Sequence, residues 1–79
     1  MPKLPPITPK KLLKILNKCG FHADHATGSH IILYNPENKK RAVVPFHLKD
    51  LPKGTLASIL AEIGISKNDF LKLLGQEPH

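Results

Sequence analysis

Residues 22–45 read HADHATGSHIILYNPENKKRAVVP, a run without a helical period. Its apolar and β-branched residues fall into three short extended segments, His22 to Ala26, His30 to Asn35 and Arg41 to Pro45. Thr27-Gly28-Ser29 and the run from Pro36 to Lys40 separate them, both rich in turn-forming residues. Connections this short make each pair an antiparallel hairpin, so the expected strands form a meander. Alternation on the middle strand sets His30, Ile32 and Tyr34 on one face and Ile31 and Leu33 on the other. Both faces are therefore partly apolar.

Upstream, Thr8 followed by Pro9 reads as an N-cap with proline at the first helical position, where its missing N–H and fixed φ cost nothing. The spacing predicts a helix from Pro9 to about Cys19, with Leu12, Leu13, Leu16 and Cys19 turned inward. Gly20 supplies the left-handed residue that ends helices, and Phe21 then falls where it can touch Leu16. Met1 to Ile7, with Pro2, Pro5 and Pro6, is expected to be an extended tail.

Downstream, a linker with Phe46, His47 and Pro52 leads to a helix near Thr55 to Ile63, where Leu56, Ile59, Leu60 and Ile63 follow the i, i+3, i+4, i+7 pattern. Ser66 and Asp69 resemble a capping box, and Ile65 and Phe70 a hydrophobic staple, so a third short helix should run through Leu74. The order α-β-β-β-α, plus the short C-terminal helix, implies a small α+β sandwich: a three-stranded antiparallel sheet with helices on one face. This is the arrangement of the double-stranded-RNA-binding domain. One domain is expected over residues 8–74, between an extended tail at 1–7 and a frayed tail at 75–79.

The 79 residues leave room for one core and no cleft between domains, which excludes large enzymes and multi-domain assemblies. No apolar run is long enough to span a membrane and no charged leader precedes an apolar stretch, so neither membrane insertion nor secretion is expected. Cys19 stands alone and cannot form an internal disulfide, which fits a reducing cytoplasm.

Twelve Lys and Arg against six Asp and Glu give a formal charge of +6, and all of the excess lies in residues 1–50. Lys10, Lys14 and Lys18 recur every four positions, one stripe on a helix, while Lys39, Lys40 and Arg41 form a second cluster. Lysines on the solvent face of a helix are ordinary, but two basic clusters in one half of so small a domain point to a polyanionic partner.

Cys19, His22, His25 and His30 invite a zinc reading that the spacing opposes. His22 and His25 are an odd number of positions apart, which on a regular strand puts them on opposite faces, and there is no Cys-x-x-Cys pair. No metal and no cofactor are expected. Gly28-Ser29-His30 differs, because it sets an imidazole at the start of the central strand just after a tight turn. Gly28 tolerates positive φ and lets a ligand approach the backbone, Ser29 adds a hydroxyl and an N–H, and a histidine there can transfer protons near neutral pH. A half-exposed strand histidine without chemistry has the same appearance.

From Thr8 through Leu74 the chain resembles the HicA-type toxins of HicA/HicB toxin–antitoxin pairs. The resemblance rests on Cys19-Gly20-Phe21, Gly28-Ser29-His30, Val44-Pro45-Phe46-His47, Lys53-Gly54-Thr55-Leu56-Ala57-Ser58-Ile59-Leu60, Ile65-Ser66 and Phe70-Leu71-Lys72-Leu73-Leu74, in that order. It implies the double-stranded-RNA-binding fold and a messenger-RNA interferase, with His30 at the position of the catalytic histidine and Gly28 at that of the turn glycine. His47 matches another recurrent histidine of the family. It also implies a HicB-like antitoxin that covers the His30 region, an acidic surface meeting a basic one. The chain departs from the family at Ala26-Thr27, where a basic residue is frequent, and at Ile31, where an aromatic or histidine is.

The implied chemistry is metal-independent RNA cleavage, in which a base takes the 2′-hydroxyl proton, an acid protonates the leaving 5′-oxygen and cations stabilise the phosphorane. His30 would fill one proton-transfer role, with Gly28, Ser29 and His47 in support; His47, a lysine or water could fill the other. Lys10, Lys14, Lys18, Lys39, Lys40 and Arg41 would hold RNA phosphates. Two alternatives are a non-catalytic RNA-binding module of the same fold and a degenerate homologue acting through protein contacts on the apolar parts of the sheet.

Overall fold

Thr8 opens helix α1, Pro9–Lys18, in a computed structural model that describes residues 5–46 and 49–75. The Thr8 hydroxyl oxygen accepts a hydrogen bond from the Lys11 N–H at 3.1 Å and Pro9 occupies the first turn, as the sequence implies. Leu12, Ile15 and Leu16 form the buried stripe, with Leu13 and Cys19 at its margin. Ile15, outside the stripe that the spacing predicts, sits between Leu12 and Cys19 at helical spacing and takes its centre.

The helix ends as its sequence predicts. Gly20 has φ +94°, its N–H donates to Asn17 O at 3.2 Å, and the Phe21 N–H donates to Leu16 O at 3.0 Å, the paired bonds of a Schellman motif. Phe21 and Leu16 are both buried there.

Strands β1 (His22–Thr27), β2 (His30–Asn35) and β3 (Lys40–Pro45) form an antiparallel sheet in that spatial order. Two helices follow, α2 (Lys53–Ile63) and α3 (Lys67–Gly75). The α+β layout of the double-stranded-RNA-binding type is thus present. Helix α2 starts earlier than its apolar pattern, because Pro52 serves as N-cap and the Leu56 N–H donates to Pro52 O at 2.9 Å. Ser66 caps α3, its Oγ accepting from the Asp69 N–H at 3.1 Å.

Core side chains come from one face of the sheet and from all three helices. Leu33, Ala42 and Val44 meet Leu12, Ile15 and Leu16 of α1, Leu56, Ile59, Leu60 and Ile63 of α2, and Phe70 of α3 in one buried cluster. Ile7, placed by sequence in the extended tail, belongs to this cluster and bridges to Leu51, whose N–H donates to Ile7 O at 2.8 Å. The proline-rich segment before α1 therefore contributes to the core at its last residue.

Asn35 is the buried polar residue among the described core. Its Nδ2 donates to Cys19 O at 3.3 Å and its Oδ1 accepts from the Glu37 N–H at 2.9 Å, tying the end of α1 to the β2–β3 turn. Removing that side chain strands polar backbone groups, and Asn35→Ala is expected to cost about 1–3 kcal/mol. Urea titration of the variant checks this; a midpoint equal to that of the parent contradicts it.

Candidate active site on the open sheet face

The face of the sheet turned away from the helices is built row by row from the strand register. Thr27, His30 and Pro45 form one row, His25, Ile32 and Val43 the next, and His22, Tyr34 and Arg41 the third. Directly opposed residues share a face, so all nine positions belong to the open side, where Pro45 is buried and the other eight are exposed or half-buried. The opposite side carries Ile31, Leu33, Ala42 and Val44, which meet the helices.

His30 is exposed at the first position of β2, on a regular strand rather than in a loop. The turn before it has positive φ only at Gly28, +56°, the pattern of a II′ hairpin. A Cβ added at Gly28 would meet no atom within 4 Å, so glycine is required there for backbone conformation and the space above the turn is open. Ser29 O accepts from the Phe46 N–H at 2.6 Å, which continues the β2–β3 pairing past Pro45 and fixes the start of β2. His47 lies outside the described residues.

One expectation is corrected at β1. Ala23 pairs with Leu33 and His25 with Ile32, which leaves Asp24 as the extra residue of a β-bulge. The bulge cancels the odd spacing, so His22 and His25 share the open face instead of facing opposite ways. Among the described residues, however, no group of three or more His, Cys, Asp or Glu side chains stands close enough to hold a metal ion.

The bulge also builds a polar chain the sequence did not reveal. His25 Nδ1 lies 2.9 Å from Asp24 Oδ2, Arg41 Nη1 lies 3.7 Å from the same oxygen, and the Arg41 guanidinium sits 4.9 Å above the centre of the Tyr34 ring. An ionised carboxylate only accepts, so this contact assigns the proton to Nδ1 of His25 and leaves Nε2 as the other ring nitrogen. A clue was available in the aspartate itself, a residue poorly suited to a regular strand interior.

The basic residues singled out by sequence occupy different places. Lys10, Lys14 and Lys18 are exposed along α1. Lys10 borders two shallow hollows, one of about 300 Å³ shared with Phe46 and Lys49 and one of about 220 Å³ shared with Lys11 and Lys14. Because Phe46 bonds to Ser29, this basic strip begins beside the His30 end of the sheet.

Lys40 and Arg41 fall on opposite faces of the sheet, and Lys39 sits in the turn before them. Lys39 has φ +59° in the turn, and Lys40 pairs with Asn35 on the helix side. The Lys40 ammonium lies 2.8 Å from where a Cβ of Gly64 would be, against the C-terminal end of α2, where a cation complements the helix dipole. Arg41 alone of the three lies on the open face, because successive strand residues alternate. Cys19 is a packing residue at the end of α1, and burial pushes its thiol above the ordinary range, away from nucleophilic chemistry.

None of the described helices is long and apolar enough to cross a membrane. Residues 9–65 match the family model described as the HicA toxin of bacterial toxin-antitoxin. Comparison with curated proteins returned no match.

Proposed function

Because the chain belongs to the HicA toxin family of bacterial toxin–antitoxin systems, we propose that this toxin is a cytoplasmic endoribonuclease that cleaves messenger RNA without a metal ion, using His30 for proton transfer. The observation that carries the proposal is the Gly28-Ser29-His30 hairpin: an exposed imidazole on a rigid strand, beside a turn with open space above it. A phosphodiester can approach such a turn closely, and a strand-borne side chain holds its geometry better than one on a loop.

In the reaction, a base removes the 2′-hydroxyl proton and the 2′-oxygen attacks phosphorus. The bond from phosphorus to the 5′-oxygen breaks and an acid protonates the departing oxygen. The products are a 2′,3′-cyclic phosphate and a 5′-hydroxyl. His30 performs one of the two transfers, worth about 10² to 10⁴ in rate. Arg41, two rows along the same face, holds a neighbouring phosphate, and the strip of Lys10, Lys14 and Lys49 guides the strand past the His30 end. The antitoxin of the pair covers the open face, its acidic surface matched to this charge and its apolar contacts made on Ile32 and Val43.

The test is incubation of the purified chain with single-stranded RNA in EDTA. Cleavage is expected, and a substrate with deoxyribose at the scissile position should resist because the nucleophile is missing. RNA bound and left intact under these conditions would instead favour the non-catalytic binding module. Binding to an uncleavable strand should weaken steeply with salt, and Lys10→Ala or Lys14→Ala should reduce the slope of log K against log salt by about 0.7 per phosphate no longer neutralised. An unchanged slope in both variants removes that strip from the RNA path.

A further inference from the structure

We infer that His25 is the second proton-transfer group of this site, a role that rests on the endoribonuclease reading above. The bulge at Asp24 turns His25 onto the face that carries His30. His25 stands opposite Ile32, and His30 is two residues along β2, so the two histidines are diagonal neighbours on adjacent strands. Such neighbours stand about 7–8 Å apart, against about 5 Å for a directly opposed pair. In-line displacement places the attacking and leaving oxygens on opposite sides of phosphorus, each within about 2.6–3.2 Å of its own acid or base. Side chains rooted that far apart can flank a phosphoryl group from two sides, whereas directly opposed ones stand against each other.

Asp24 supplies the orientation. Its carboxylate accepts from Nδ1 of His25 at 2.9 Å, which fixes the tautomer and leaves Nε2 to exchange the proton with RNA. The same carboxylate is held by Arg41 at 3.7 Å, and Arg41 in turn lies over Tyr34, so the orienting group is itself anchored to the sheet. A carboxylate behind an imidazole also balances the charge that appears when the ring is protonated. Bulges recur beside active sites because they re-aim a side chain, and here the re-aimed side chain is an imidazole. One histidine takes the 2′-proton while the other delivers a proton to the 5′-oxygen; the charge on the pair is conserved across the step.

The experiment compares the parent chain, His25→Ala and His30→Ala on two substrates. One is ordinary RNA and the other carries sulfur in place of the bridging 5′-oxygen at the cleaved position, so that the leaving thiolate needs no proton. His25 is exposed, so the variant should fold, and circular dichroism and binding to a 2′-deoxy strand confirm it. On ordinary RNA, His25→Ala is expected to lower the cleavage rate about 10² to 10⁴-fold while binding to the deoxy strand changes little. On the sulfur substrate, one histidine variant should recover and the other should not, which identifies acid and base. Parental cleavage by His25→Ala together with an inactive His30→Ala overturns the role of His25 and leaves that of His30 intact. Defects in both variants that sulfur fails to relieve in either also overturn it. A parent chain that cuts neither substrate overturns the endoribonuclease reading itself, and the role of His25 with it.

Discussion

Phe21→Ala should lower the free energy of unfolding by about 3–5 kcal/mol, the usual cost of emptying a buried phenylalanine site. Phe21 is 1% exposed, and its backbone closes α1 through the bond to Leu16 O while its ring enters the core. Domains are stable by only about 5–15 kcal/mol, and a short chain has few other large side chains to compensate. The cavity would open where α1 passes into β1, so the sheet would lose its attachment to that helix as well as the ring's own burial. A urea titration followed by circular dichroism measures the effect; a loss below about 1 kcal/mol would contradict the placement of Phe21 in the core.

His30→Ala should abolish detectable RNA cleavage while leaving fold and RNA affinity close to those of the parent. The side chain is exposed at the start of β2, opposite Thr27 and Pro45, so its removal opens no core cavity. Loss of one proton-transfer group costs about 10² to 10⁴ in rate. If the toxin acts through the proposed RNA cleavage, a loss of that size should remove its effect on growth. Induction of the variant in bacteria should therefore spare growth that the parent arrests. Growth arrest by both would remove His30 from the mechanism.

Much of the fold was legible in the sequence because its signals are local. The Thr8-Pro9 cap, the Gly20-Phe21 ending, the Gly28 turn and the apolar face of α2 each need only a few neighbouring residues to declare themselves. Ile7 does not declare itself locally because its bridge to Leu51 is long-range, and Ile15 does not because Leu13 and Cys19 offer a competing stripe on α1.

The site was legible only in part. The Gly28-Ser29-His30 hairpin shows in sequence because a turn and a strand start coincide there. The relation of His25 to His30 does not, since counting residues along a strand assumes regular alternation and one extra residue, Asp24, reverses the face of everything on one side of it. The placement of Lys39 to Arg41 is hidden for a related reason. Adjacency in sequence became separation across the sheet, with Lys40 drawn to the end of α2 and Arg41 left on the open face beside Tyr34 and Asp24.

The measurement that bears most directly on the proposed chemistry is end-group analysis of RNA exposed to the purified chain in EDTA. Proton transfer through histidine, with the 2′-oxygen as nucleophile, requires new ends that carry a 2′,3′-cyclic phosphate on one fragment and a 5′-hydroxyl on the other. Those ends, absent from the same digest with His30→Ala, are the expected result. Intact RNA, or fragments that begin with a 5′-phosphate, would contradict it.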